Sequence, residues 1–118
     1  MKKISYALTI TIAMFSFKAF AGQYNNVIID HITVEDTGVA RILAVDGAMV
    51  SETQCHQTNS ESTAYFAFDV TTAVGKSWQS MILTALATGK KTHLIGAGNC
   101  ISWQGISYEN LRIIYSLK

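Results

Sequence analysis

The sequence predicts a β-dominated domain with one helix (β+α), read as a five-stranded OB-fold barrel with the α-helix between strands 3 and 4. Three observations predict it. Runs of β-branched and aromatic residues recur between glycines and short polar clusters, as strands do. A single stretch, from Trp78 to Leu86, switches to helical spacing. The resulting order, β-β-β-α-β-β, is that of a small, partly open Greek-key barrel with its helix closing one end. A five-stranded sheet with a helix across one face has the same order and is the rival arrangement.

Ahead of the first strand lies a leader. Lys2 and Lys3 are followed by an apolar run over residues 4–17, and then by Ala19-Phe20-Ala21, an A-x-A cleavage signal. These parts in that order predict a secretory signal peptide over residues 1–21, with Gly22 the first mature residue. The apolar run is shorter than the ~20 residues a membrane span needs, and Lys18 interrupts it. Residues 22–118 then form a single domain with no second run of spanning length. Lys2, Lys3 and Lys18 leave with the leader, taking the nine basic residues to six against eight acidic ones, a net of −2. No basic patch remains to suggest nucleic acid or an anionic lipid surface as a partner.

The first strand is expected over residues 27–35, with apolar residues on both faces, as a long strand bending around a small barrel requires. "EDTG", residues 35–38, is a turn. A second strand follows over 39–45, and Asp46-Gly47 marks its end. Residues 51–63 are polar and read as a loop. The third strand, 65–70, carries Phe66, Phe68 and Val70 on one face, pointing into the core. On the helix, Trp78, Met81, Ile82, Ala85 and Leu86 form one apolar stripe, and Gly89 supplies the C-terminal cap with Lys90 and Lys91 beyond it. A fourth strand is expected over 92–97. The fifth, 110–117, alternates Leu111, Ile113, Tyr115 and Leu117 against Asn110, Arg112, Ile114 and Ser116.

A core of this size gains from a staple. After the leader the only cysteines are Cys55 and Cys100, and an even pair in an exported chain is most simply one disulfide. The alternative is two reactive or metal-binding thiols, for which there is neither a C-x-x-C nor a clustered histidine.

No residue pattern singles out catalysis. There is no G-x-S-x-G elbow to mark a nucleophile. His31, His56 and His93 are too far apart for a local metal motif, and "GAGNC" at residues 96–100 lacks the following helix a phosphate loop needs. The expectation is a protein that is not an enzyme, with no catalytic residues, metal or cofactor. Binding is the better prospect. Sugars stack on aromatic faces while amides and hydroxyls hold their hydroxyl groups. Tyr24, Asn25, Asn26, Trp103 and Tyr108, read as loop or terminal residues, are the candidate glycan-binding set. Opposite the buried helix stripe lie Gln79, Ser80, Leu83, Thr84 and Ala87, with no charge from Trp78 to Thr88. A solvated helix face normally carries Lys and Glu, so these five are the candidate oligomer or pore face.

The leader, the two-strand start, the block "YFAFDVTTAVGKSWQSMILTALATGKKTHLIGAGNC" and the terminal "LRIIYSLK" together resemble the subtilase cytotoxin B-subunit-like family. The most specific part is "LTALATGKK" followed by a strand to a cysteine. The resemblance implies a secreted OB-fold that assembles as a homopentamer, binds cell-surface glycans, often sialylated, and carries a toxic A subunit. It implies that the helices surround a central pore and that Cys55 pairs with Cys100. It also implies a serine just before the first strand and a tyrosine on the strand after the helix as sugar ligands. Asn25 and Gly96 occupy those places here. The alternative is an exported periplasmic OB-fold protein with a structural or small-ligand-binding role and no toxin partner.

Overall fold

The computed structural model describes residues 21–55 and 59–117. The leader, apart from Ala21, and His56 lie outside the described residues. Six strands and one helix follow in the order β1 (Gln23–Val34), β2 (Val39–Val45), β3 (Ala48–Ser51), β4 (Ala64–Asp69), α1 (Ala73–Thr88), β5 (Thr92–Trp103) and β6 (Ile106–Ser116). Five of the strands close a ring, β1-β2-β4-β6-β5 and back to β1, and β3 pairs with β1. Every pairing is antiparallel except β4 with β6, where Phe66 faces Glu109. The β-dominated expectation with one helix therefore holds.

The helix position needs correcting: α1 follows β4, not a third strand. The reason lies beyond Asp46-Gly47, expected to end the second strand: after a kink there the chain goes on pairing with β1 as the short, unexpected strand β3. Ile28 faces Val45 and Asn25 faces Ala48, so the register runs across the interruption without a slip. β2 and β3 are thus two halves of one long ribbon laid along β1. The kink has Asp46 at φ 59° opposite a stretch of β1 where Asn26 has φ 56°. Gly47 is required there, because a Cβ would collide with Val27 and the Asn25 carbonyl. The outer edge of β3 is covered by the loop behind it, with Gly47 and Met49 N–H groups donating to the Ser62 and Glu61 carbonyls at 3.3 and 2.9 Å.

The barrel interior is filled by Tyr24, Val27, Ile29, Ala40, Ile42, Ala44, Phe66, Phe68, Leu94, Leu111 and Ile114. α1 packs on β1 and β6 and inserts Ile82 and Ala85, while Trp78 meets Phe68 edge-on at 5.6 Å. Burying residues of this kind stabilises by about 1.5–3 kcal/mol for each large side chain. Thr72 caps the helix start by accepting the Gly75 N–H at 2.9 Å, and Gly89 ends it at φ 71° with its N–H on the Ala85 carbonyl.

Two further expectations change. β5 extends to Trp103 and β6 begins at Ile106, joined by a two-residue turn in which Gln104 and Gly105 both have positive φ. The inward phase of β6 also shifts: Leu111 is followed inward by Ile114 rather than Ile113, and Tyr115 is exposed. A bulge causes this, since Ile113 faces Ile95 but Leu111 faces Gly96, leaving Arg112 as the extra residue.

Candidate functional site

Strand alternation carries one polar side chain to the outer wall where β2, β4, β5 and β6 meet. Ala40, Ile42 and Ala44 point inward, so Arg41 points out. There its guanidinium lies over the Trp103 ring at 4.2 Å, with Tyr65 at 5.1 Å and Tyr108 at 5.8 Å. The rings also pack on one another, Tyr65 with Tyr108 at 5.7 Å and Trp103 with Tyr108 at 6.3 Å. Trp103 and Tyr108 are only 8% and 5% exposed, so they form a floor beneath Arg41, while Arg41 and Tyr65 are half-buried.

The polar groups of this cluster are incompletely used. One terminal nitrogen of Arg41 donates to the Tyr108 hydroxyl at 3.4 Å, a long contact. Arg41 Nε and Trp103 Nε1 are buried with no hydrogen-bond partner among the described residues. No carboxylate stands within ion-pairing distance of Arg41 among them either. A guanidinium held over aromatic rings, with its charge unpaired among the described residues, is suited to receive a carboxylate or another planar anion through N–H groups that have no protein partner.

The structure brings Trp103 and Tyr108 together but not the rest of the sequence-derived set. Both lie on strands of one hairpin rather than in loops. Tyr24 sits across the barrel wall, fully buried, donating its hydroxyl to the Ser60 carbonyl at 2.7 Å. Burial pushes its phenol above the ordinary value, a hydrogen bond involving Asn59 lowers it and the charge of Glu52 raises it further. Beside it opens a cleft of about 210 Å³ lined by Tyr24, Met49, Glu52, Thr53, Cys55 and Asn59. Asn25 pairs with Ala48 and is half-buried; Asn26 is exposed, its N–H donating to His93 Nδ1 at 3.0 Å. Arg41 and Tyr65 escaped the sequence reading. The available signal was alternation, which places both on the outer face once Ile42 and Phe66 are inside.

Gly96 and Asn25, the places where the resemblance implies a tyrosine and a serine, differ in their surroundings. Asn25 accepts a long contact of 3.5 Å from Gln23. A side chain at Gly96 would overlap the Glu109 carboxylate, which fills that space instead. No aromatic wall fits there.

Cys55 and Cys100 form a disulfide with Cα atoms 5.6 Å apart, tying the loop after β3 to the middle of β5. Such a bond belongs to an oxidising compartment. No described helix is long and apolar enough to cross a membrane. Among the described residues no three His, Cys, Asp or Glu side chains gather as a metal site.

No family model matches the chain, and no curated protein matches it.

The outer helix face is the second feature of the surface. Ser80, Leu83, Thr84 and Ala87 are exposed, Leu83 by 49%, and Gln79 is half-buried at the margin. The two threonine hydroxyls turn inward: Thr84 donates to the Ser80 carbonyl at 3.0 Å and Thr88 to the Thr84 carbonyl at 2.8 Å. Lys76, at the start of α1, lies on the same line as Ser80, Leu83 and Ala87 and is its single charge.

Proposed function

We propose that the protein is an exported, non-catalytic carbohydrate-binding subunit with an OB-type barrel, akin to the subtilase cytotoxin B subunit. The supporting observation is the unpaired Arg41 guanidinium held over Tyr65, Trp103 and Tyr108. An acidic sugar offers what this arrangement lacks, a carboxylate for the guanidinium and an apolar ring face for Tyr65. The strand order supports the barrel type: a closed ring with a single parallel pair, β4 with β6, and a helix entering between them in sequence. The helix face, charged only at Lys76, supports assembly into a ring of like subunits, and the disulfide supports export to the periplasm or beyond. An A subunit belongs to the same reading.

The test is a glycan array probed with wild type and with Arg41→Ala and Arg41→Lys, alongside mass determination of the purified protein. Acidic glycans are expected to bind. Arg41→Ala should weaken them roughly tenfold or more, the scale of one lost charge-assisted interaction. Arg41→Lys should restore little, because an ammonium neither stacks flat nor donates as a fork. Binding confined to neutral glycans, or unchanged by Arg41→Ala, would sink the reading.

A further inference from the structure

Glu109 is fully buried, yet no cation lies within ion-pairing distance of it among the described residues. Its carboxylate accepts the Thr53 hydroxyl on one oxygen and the Gly98 N–H, at 2.7 Å, on the other. Two neutral donors satisfy lone pairs but leave the charge itself uncompensated, and a buried unpaired carboxylate costs several kcal/mol. The chain gives this group room on two sides, at Gly96 and at Gly22, neither of which has a side chain. A Cβ on Gly22 would stand 3.4 Å from Glu109 Oε1. By standard bond geometry the nitrogen on the same α-carbon is about 2.5 Å from such a Cβ, so it lies within roughly 6 Å of that oxygen. The Gly22 carbonyl accepts the Gly96 N–H at 2.7 Å, a contact that survives removal of the leader, whereas the 2.5 Å bond from the Ser51 hydroxyl to the Ala21 carbonyl leaves with it.

With the leader attached, the Gly22 nitrogen is a neutral amide. Hydrolysis by a leader peptidase breaks the Ala21–Gly22 C–N bond. Water's oxygen and one hydrogen go to the Ala21 carbonyl carbon and its other hydrogen to the Gly22 nitrogen. The new carboxylic acid then passes its proton to the amine. The products are a carboxylate on the departing leader and an α-ammonium on Gly22. We infer that this α-ammonium is the counter-ion of the buried Glu109 carboxylate, so that leader removal supplies the one charge the barrel interior lacks. The inference rests on the export reading and on cleavage between Ala21 and Gly22. It assigns a structural role to the product of that cleavage.

The experiment compares a chain beginning at Gly22 with one that keeps residues 19–21, each with and without Glu109→Gln. The extended chain is expected to melt roughly 5 °C lower, a shift normal for one lost interaction in a domain of this size. The difference should vanish in the Glu109→Gln pair. Equal melting of the first two chains, or an equal difference in the Glu109→Gln pair, overturns the inference. Should Glu109→Gln not fold, a crystal structure of the chain beginning at Gly22 decides. An amino nitrogen within about 4 Å of a Glu109 oxygen is expected, as in any ion pair, and a longer separation overturns it. Intact mass of the exported protein separates the two premises: a start other than Gly22 removes the cleavage step whatever the melting data show.

Discussion

At Gly96 a methyl group would have to occupy the space of the Glu109 carboxylate, whereas at Gly89 nothing lies within 4 Å of where one would go. The same substitution therefore has two different costs. Gly96→Ala must displace a buried, hydrogen-bonded acid and should destabilise by about 3 kcal/mol, the upper range for overpacking. Gly89→Ala meets only the left-handed backbone, φ 71°, and should cost about 1 kcal/mol. Urea unfolding of both variants checks the order, and equal losses would mean that Glu109 can move aside. Asp69 supplies a pH-dependent counterpart. The Thr71 hydroxyl and then its N–H, at 2.6 and 2.8 Å, hold the Asp69 carboxyl below its usual value. A depressed carboxyl contributes stability above its unfolded value and loses it as pH falls through the folded one. Asp69→Asn should thus destabilise slightly at neutral pH and flatten the acid loss between about pH 5 and pH 2. Melting curves across that window test it; parallel curves for the two proteins would remove Asp69 from the account.

Between elements, the disulfide and Glu109 act on the same loop. Cys55 is anchored to Cys100 across a separation of 45 residues, and Thr53, two positions earlier, binds Glu109 and receives the Cys55 N–H at 3.1 Å. Closing a loop of that length is worth about 4 kcal/mol by chain-entropy reasoning. Replacing both cysteines by alanine should cost about 2–4 kcal/mol in guanidinium unfolding. The Thr53–Glu109 contact should keep the loop in place, so the variant should retain a native circular-dichroism spectrum. Loss of the fold would show that the polar anchor is insufficient alone. These elements also show what could be read in advance. α1 was legible from its period and its C-terminal glycine, though not its start at Ala73, and the inward face of β4 from Phe66 and Phe68, because both patterns are local. The failures came where local chemistry has two outcomes. Asp46-Gly47 is as good a kink as a strand end, and only the pairing with β1 decides. Gln104-Gly105 makes a tight hairpin without the usual Asn or Asp, so β5 and β6 each appeared too short. The Arg112 bulge then inverted the expected faces of Ile113 and Ile114. The candidate site suffered for the same reason. Trp103 and Tyr108 were visible as aromatics, but Arg41 becomes their partner only through cross-strand geometry.

For the molecule as a whole, the outer face of α1 is the surface whose chemistry asks for a partner. Ile82 and Ala85 are buried and Trp78, Met81 and Leu86 pack against the same core, so the helix needs no further contact to be held on its barrel. Yet the opposite face exposes Leu83 and Ala87, and the hydroxyls of Thr84 and Thr88 are already used by helix carbonyls. Hydroxyls that already have a partner lose little on leaving water, and the apolar groups beside them gain by doing so. In a ring of like subunits, Lys76 would lie at one end of each contact line and leave the remaining length free of charge. Introducing Leu83→Glu together with Ala87→Glu would bring like charges close together around a shared axis, where water screens them poorly. The expected outcome is an oligomeric wild type, five subunits by the subtilase-cytotoxin-like reading, that dissociates to monomer in the double variant. In a protein that is monomeric throughout, the same changes fall on an ordinary surface and should alter stability by no more than about 0.5 kcal/mol. Analytical ultracentrifugation of both proteins, paired with their melting curves, separates the two outcomes. A wild-type monomer, or an assembly that survives both glutamates, would mean that α1 faces only water. The Arg41 cluster would then be the one surface feature left to support a binding role, and the glycan array would test it independently of assembly.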